Sequence, residues 1–428
     1  MNRLFRILFI TLLLSLPFVE LAAVEYNDHF TSQRMRADLI LTGNAHTQSA
    51  SLREISIEPL WAGSPNSLID PFGYGDYFIE VRTKEGEVIY SKGFNTLFRE
   101  WRDTPQAQTV TKSFTQTIWF PCPKHEVEVV LYERIKSTME LSTLFSFTAD
   151  PEDHIVKKES SSQYPVTEIE VNGQMSHKVD LLIIPEGYTE QQMEKFHNDC
   201  RTFLDYFFVM EPYASRRNDF NIWAVDAPSA ESGTDIPHEN IWRNTILNSS
   251  FYTFYVDRYL TVTDHTLMAD VASGAPFDAI IVLVNDKKYG GCGIYNSYAL
   301  GISDNEYALQ VFVHEFGHSF AGLADEYYTS EVAYTDFYDM NTEPWEPNIT
   351  TMVDFGSKWQ DMLDKSTPIP TPVNDSNSEV VGVYEGAGYN AKGIFRPFID
   401  CRMKTNKAKG FCPVCVRAIN RMIDYYCK

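Results

Sequence analysis

Two histidines and a glutamate stand close together in the second half of the 428-residue chain. His314 and His318 are four positions apart, and Glu315 directly follows the first histidine. On a helix, residues i and i+4 share one face, so both imidazoles can reach a single ion. Glu315 can then hold a water molecule beside that ion and act as a general base. The His-Glu-x-x-His spacing therefore predicts a metal site with the chemistry of zinc-dependent hydrolysis.

The residues around this pattern predict the helix that it requires. Ser303 and Glu306 have the spacing of a capping box, which predicts a helix start there. Gly322 is placed to end the helix in a left-handed conformation, because glycine has no Cβ to clash. Between these signals, apolar residues recur at helical intervals and predict one buried flank: Leu309, Phe312, Val313, Phe316 and Phe320.

A further protein ligand is needed, because two histidines fill only part of a tetrahedral zinc shell. Asp325 follows three residues after Gly322, where a reversed chain can return its carboxylate to the ion. We therefore predict that His314, His318 and Asp325 bind Zn²⁺ and that Glu315 is the catalytic residue. A catalytic zinc site of this kind keeps its remaining position open for water.

The part of the chain before this site divides into segments of different composition. Residues 1–23 combine a positively charged start, a short apolar stretch and a small-residue end, which predicts a cleavable signal peptide and export. Residues 24–150 predict an all-β sandwich, and the polar residues 151–164 predict an exposed linker. The sandwich prediction depends on seven short segments rich in β-branched and aromatic residues: 37–42, 54–60, 77–83, 88–94, 112–120, 126–132 and 142–148.

Residues 165–428 alternate strand and helix patterns, which predicts an α/β catalytic domain and makes the whole chain α+β. Residues 179–184 form an apolar run interrupted only by Asp180, typical of a strand buried on both faces. Residues 221–225 and 279–284 predict further strands. The glycine-rich segment 289–295 is either a strand that can pair with an extended peptide or an ordinary loop. A final amphipathic helix is predicted to begin near Pro413.

Composition and charge limit the classes of partner. Hydrophobic residues make up 44% of the chain, which provides for packed cores, and the formal net charge is −22. A chain this acidic is not expected to bind nucleic acid, because phosphate recognition requires a basic surface. Beyond the signal segment, no stretch is long and apolar enough to predict stable membrane insertion.

Seven cysteines are present, and an odd number leaves at least one thiol outside any disulfide. Cys412 and Cys415 form a single C-x-x-C pair, without the second pair that a zinc ribbon requires. A redox role is one interpretation of this pair. A structural staple for the C-terminal helix is the favoured one.

Residues 314–327, from His314 to Tyr327, resemble the active-site signature of the IgA-peptidase family of secreted zinc metallopeptidases. The segments 401–404 and 411–415 also resemble that family, as does the order of signal peptide, β-rich domain and catalytic domain. The resemblance covers nearly the whole mature chain, and its specific motifs lie between about residues 285 and 415.

The resemblance implies a metzincin-like catalytic domain, with His314 and His318 as ligands and Glu315 as the base. In the general metzincin pattern, a glycine and a third ligand follow at fixed spacing, and Gly322 and Asp325 each come one residue later. Asp325 keeps its place relative to the glycine and is the preferred third ligand, with Glu326 as the alternative. For the methionine turn beneath the zinc, Met403 is preferred over Met352.

The resemblance also implies a secreted, periplasmic or cell-surface endopeptidase that cleaves extracellular proteins or glycoproteins, with immunoglobulin A as the type of substrate that the family name suggests. Two other functions are kept open. One is a secreted protein that binds glycoproteins or glycans and carries a structural zinc. The other is a zinc amidohydrolase that acts on cell-wall peptides. The oligomeric state is not encoded in these patterns.

Overall fold

The computed structural model describes residues 24–158, 163–329, 332 and 337–428. The predicted signal peptide, residues 1–23, lies outside the described residues. Within them, sheets and helices are mixed, in agreement with the predicted α+β class. The described helices are α1 (Tyr26–His29), α2 (Leu97–Arg102), α3 (Met193–Phe207), α4 (His265–Ala272), α5 (Ala308–Ala321) and α6 (Pro413–Tyr426).

The N-terminal part consists mainly of two facing sheets that share one hydrophobic core. Its strands are β1 (Phe30–Gly43), β2 (Gln48–Glu58), β3 (Tyr77–Arg82), β4 (Val88–Phe94), β5 (Lys112–Pro123), β6 (Val127–Arg134), β7 (Leu141–Ala149) and β8 (Lys157–Lys158). The sheet orders are β5-β1-β2-β8 and β4-β3-β6-β7. All seven predicted strands are therefore confirmed.

Alternation along the strands explains this packing. In β6, Val127, Val129 and Leu131 are buried in the shared core, whereas Glu128 between them is exposed. Side chains of a strand point alternately to opposite faces, so Val127, Val129 and Leu131 share the face of β6 that packs inward. The predicted linker also contributes to this unit, because β8 lies inside it and pairs in parallel with β2.

A mixed sheet forms the centre of the C-terminal part. The strands that follow are β9 (Val166–Glu170), β10 (Val179–Glu186), β11 (Phe220–Val225), β12 (Ser249–Ser250), β13 (Thr261–Val262), β14 (Ala279–Val284), β15 (Gly291–Ile294), β16 (Tyr298–Ile302), β17 (Tyr384–Ala387) and β18 (Asn390–Arg396). The central order is β15-β16-β14-β10-β11-β9. The inner strands pair in parallel, and β9 and β15 are antiparallel edges.

Strand β10 is buried along its whole length because both faces of this sheet are covered. Leu181 and Ile183 belong to a core that also contains residues of α3, α5 and α6. Leu182 and Ile184 belong to a second core with residues of α4. A strand between two cores is expected to be mainly apolar, which accounts for the apolar residues 181–184. The buried Asp180 in the same strand accepts hydrogen bonds from Asn221 Nδ2 at 3.0 Å and Trp223 Nε1 at 2.8 Å.

The start of α5 differs from the prediction. The helix begins at Ala308, Tyr307 occupies its N-cap, and no side chain caps it, so the predicted capping box of Ser303 and Glu306 is wrong. The Ser303 backbone N–H instead donates to the Val284 carbonyl at 2.9 Å. The chain is still following the sheet at Ser303, and this tertiary pairing overrides the local capping signal.

No helix among the described residues has the length and apolar character needed to cross a bilayer.

Candidate metal centre

Helix α5 presents His314 and His318 on one face, one turn apart. Their Nε2 atoms are 3.1 Å apart, and both side chains are largely buried. At the end of the helix, Gly322 has φ +62°, as predicted for the left-handed cap, and its N–H donates to the His318 carbonyl at 3.0 Å. The cap reverses the chain and returns it toward the histidines.

Asp325 meets both histidines after this reversal. Its Oδ1 lies 3.0 Å from His314 Nε2 and 3.3 Å from His318 Nε2. Two donors about 2.05 Å from a tetrahedral zinc ion are about 3.4 Å apart, so these separations fit three ligands of one ion. Asp325 Oδ1 is also buried without a hydrogen-bond partner in the described part of the chain, although two ring nitrogens face it. A shared cation is the chemistry that such a donor set suits.

Each of these three side chains is oriented by a hydrogen bond to the atom that does not face the other two. His314 Nδ1 is 2.9 Å from the Arg402 carbonyl, and His318 Nδ1 is hydrogen-bonded to the Leu323 carbonyl. A carbonyl only accepts, so each Nδ1 carries the proton and each Nε2 keeps a free lone pair. Tyr389 donates its hydroxyl to Asp325 Oδ2 at 2.7 Å. Such outer partners fix the tautomer and the orientation of metal ligands.

Glu315 lies beside the two histidines, and one carboxylate oxygen and the ring nitrogens lie within 4.8 Å of one another. Burial raises the pKa of its carboxyl above the ordinary value, while the neighbouring His314 and His318 oppose that shift. A carboxyl group tuned upward in this way is better matched to accepting a proton near neutral pH.

A cleft of about 850 Å³ opens in front of these four residues. Its walls come from distant parts of the sequence: Asn95 and Glu100 from the N-terminal part, Gly291 and Gly293 from β15, and Tyr338, Trp345, Glu346 and Tyr389 from the region after α5. Residues of the loop and helix that follow β4 therefore line the same cleft as the histidines.

Strand β15 runs directly against α5, the helix that carries His314 and His318. A Cβ on Gly293 would lie 2.2 Å from the Glu315 carbonyl oxygen, and a Cβ on Gly291 would lie 3.1 Å from Glu315 Cγ. Both positions therefore need glycine so that the strand and helix can approach. Of the two interpretations of segment 289–295, the strand is the one observed, since residues 291–294 pair with β16 at the sheet edge.

The segment around Met403 lies on the other side of α5. A Cβ on Gly317 would lie 2.8 Å from Met403 Sδ, and Met403 is fully buried. The preceding residue, Arg402, supplies the carbonyl that holds His314. Met403 therefore lies against α5 at Gly317.

Glu326, the alternative third ligand, joins a different group. Its carboxylate lies with the thiols of Cys401, Cys412 and Cys415. Asp325 and Glu326 are adjacent in sequence, but only Asp325 lies within ion-pair distance of the two Nε2 atoms. The C-x-x-C pair was recognised by itself, and its spacing did not signal Glu326, which lies 89 positions before Cys415.

Comparison with known protein families gives two matches. The family model described as IgA Peptidase M64 matches residues 167–380 and 373–423. The model of the Peptidase M64 N-terminus matches residues 25–146. A comparison with curated proteins gives no significant match.

Proposed function

The chain belongs to the IgA peptidase M64 family, and from that premise we propose that it is an exported zinc-dependent endopeptidase. The observation that carries the proposal is the convergence of His314, His318 and Asp325 at ligand spacing beside Glu315, in an open cleft. Three protein donors with an accessible remaining position are typical of catalytic zinc sites, whereas structural sites are closed by a fourth protein ligand.

In the proposed reaction, His314, His318 and Asp325 hold the ion. When bound, zinc supplies Lewis acidity toward the attacking water and the scissile carbonyl. Glu315 accepts the proton of the water as it attacks the peptide carbon, and then delivers it to the leaving amine. The raised pKa of Glu315 supports this role, because a higher pKa makes the carboxylate a stronger base.

Strand β15 is the element proposed to align the substrate. It forms one edge of the central sheet, and its residues 291–293 line the cleft next to Glu315. Its Gly291 end is already bridged to Tyr259, so the part of this edge proposed to receive substrate is at Gly293. An extended peptide can add to such an edge through backbone hydrogen bonds, which places its carbonyls in a row beside α5. Binding as an added strand suits a substrate segment that is flexible and extended. The proposed substrate is an extracellular protein or glycoprotein, and the family name suggests immunoglobulin A as its type.

The proposal extends to the arrangement of the whole chain. Residues 1–23 serve as the signal peptide, residues 24–150 as the sandwich domain, residues 151–164 as the linker and residues 165–428 as a metzincin-like catalytic domain. Met403 acts as the methionine of the turn beneath the ion, which its contact with α5 at Gly317 supports. The acidic charge of −22 supports a protein partner rather than nucleic acid.

The decisive experiment compares two glutamates of the same region. Glu315→Gln should retain zinc but lower the hydrolysis of a peptide library by roughly 10²- to 10⁴-fold, the usual contribution of a general base. Glu306→Gln is the matched control, because Glu306 is exposed just before α5 and should leave both zinc content and rate unchanged. Full activity of Glu315→Gln would overturn the assignment.

The same library separates the other functions. Cleavage of cell-wall peptides but not of protein-derived peptides would favour an amidohydrolase. Stoichiometric zinc without cleavage of any member of the library would favour a binding protein.

A further inference from the structure

Four potential metal ligands converge in the interior, behind the cleft. Cys401, Cys412, Cys415 and Glu326 are all buried, and one ligand atom from each lies within 4.8 Å of the others. Cys401 comes from the loop before Met403, whereas Cys412 and Cys415 lie at the start of α6. Glu326 comes from the chain that leaves α5. We call these residues the cysteine cluster.

We propose that the cysteine cluster is a second zinc site, closed by four protein ligands and structural in role. Cys401 Sγ and Cys415 Sγ are 3.8 Å apart. Two thiolates bound to a tetrahedral zinc at 2.3 Å are also about 3.8 Å apart. Cys415 Sγ lies 3.3 Å from Glu326 Oε1, close to the roughly 3.6 Å expected for a sulfur and an oxygen on one zinc ion.

A disulfide is the competing arrangement for these thiols. It requires a sulfur–sulfur distance of about 2.05 Å, and the three cysteines are free in the structure. Joining any two of them would also leave the third thiol and the Glu326 carboxylate together in the interior without a cation. The four-ligand arrangement uses every member of the cluster.

The Glu326 carboxylate provides an independent observation. Glu326 is fully buried, and its Oε2 has no hydrogen-bond partner within the described ranges. Its Oε1 accepts from Asn348 Nδ2 at 3.0 Å, which fixes the orientation of the group toward the thiols. A buried carboxylate oxygen without a partner is costly, and a cation in the cluster would satisfy it.

The surroundings of the cluster also suit thiolates. The Cys412 N–H points to Cys401 Sγ at 3.2 Å, and α6 begins directly after Cys412, so that its N-terminus faces the group. Three thiolates and a carboxylate exceed the charge of a zinc ion, and buried Arg402, next to Cys401, helps to offset the excess. Its hydrogen bonds reach neutral acceptors, namely the carbonyls of Asn406 and Ala408 and the Tyr206 hydroxyl.

The position of the cluster explains what a structural ion would do there. Glu326 directly follows Asp325, and its N–H donates to the Met403 carbonyl at 2.8 Å. Cys401 directly precedes Arg402, whose carbonyl holds His314. An ion in the cysteine cluster would therefore tie together the two backbone segments that position the cleft donors, and would anchor both to α6.

Cobalt substitution of the full-length mature protein tests the proposal, because cobalt bound to thiolates gives a sulfur-to-metal charge-transfer absorption. The cleft donors contain no sulfur. We expect two zinc equivalents in the purified protein and this absorption after replacement by Co²⁺. The absorption should persist in His314→Ala/His318→Ala and in the control Cys122→Ser, whose thiol lies in the sandwich core. It should disappear in Cys415→Ser.

A measurement on the unmodified protein covers the case in which Cys415→Ser fails to fold. Alkylation in denaturant and chelator, without reductant, should label all seven cysteines. Two unlabelled cysteines among 401, 412 and 415 would establish a disulfide and overturn the proposal, as would a cobalt protein without sulfur-to-metal absorption. Neither result depends on whether the cleft hydrolyses peptides, so the two proposals can fail separately.

Discussion

The two groups of candidate ligands differ in their surroundings, although each contains one of two residues adjacent in sequence, Asp325 or Glu326. The cleft group, His314, His318 and Asp325, offers three donors and opens onto a space of about 850 Å³. The cysteine cluster offers four donors and is buried throughout. The comparison shows how one short segment can serve two sites, since Asp325 faces the cleft and Glu326 faces the interior.

Donor chemistry follows the same division. Nitrogen and carboxylate donors with a free position suit an ion that must exchange water and substrate, whereas a closed thiolate set suits an ion that only holds the chain together. Each cleft donor is also oriented by an outer hydrogen bond from another part of the fold. The cleft therefore depends on the surrounding structure, part of which the cysteine cluster anchors.

The largest expected effect comes from substituting each of the two neighbouring acids, Asp325 and Glu326, in a separate variant. Asp325→Asn should remove the cleft metal and lower hydrolysis by more than the roughly 10- to 100-fold cost of losing an outer hydrogen bond. Glu326→Gln should keep the cleft metal and lose the second equivalent. Zinc content and peptide hydrolysis of both variants check this. Loss of the cleft metal in Glu326→Gln alone would reverse the assignment of the two acids.

The second-largest difference is expected in how readily a chelator removes zinc from the cleft group and from the cysteine cluster. A chelator added to the native protein should abolish hydrolysis after extracting one zinc equivalent, because the three donors face an open cleft. The second equivalent should stay until the protein unfolds, since all four of its donors are buried. Metal analysis and circular dichroism during dialysis provide the measurement. Simultaneous release of both equivalents from folded protein would contradict the difference in access.

A smaller effect should come from the approach of β15 to α5. Gly293→Ala places a Cβ 2.2 Å from the Glu315 carbonyl oxygen and should lower the free energy of unfolding by about 3 kcal/mol. Gly356→Ala is the control, because the nearest heavy atoms would be 3.6 and 3.7 Å away. Denaturant unfolding measures both. Equal stability of the two variants would show that the strand does not need this glycine.

The smallest effect should come from the outer hydrogen bond to Asp325. Tyr389→Phe removes the donor to Asp325 Oδ2 and should weaken zinc binding or activity by roughly 10- to 100-fold. Tyr384→Phe removes hydrogen bonds to the carbonyls of Asn377 and Val380 and should lower stability without changing zinc affinity. Competitive zinc titration distinguishes them. Identical zinc affinities would mean that Tyr389 only fills space.

Much of the fold could be predicted from local patterns. The seven N-terminal strands and the buried run of β10 follow from side-chain periodicity, and Gly322 ends α5 as its lack of a Cβ predicts. The capping box failed because it was judged from local spacing, whereas the backbone of Ser303 was already committed to pairing with Val284. Local signals hold where no stronger tertiary contact competes with them.

The sequence by itself determined the helical spacing of His314, Glu315 and His318, because this depends only on the geometry of one helix. The tertiary structure alone decided that Asp325 and Glu326 face different groups and that Cys401 meets Cys412 and Cys415. It also brought Asn95 and Glu100 to the cleft. Glu326 and Cys415 are 89 positions apart, and Asn95 and Glu100 belong to the N-terminal part of the chain. Contacts of this kind depend on how sheets and helices pack rather than on the preferences of neighbouring residues.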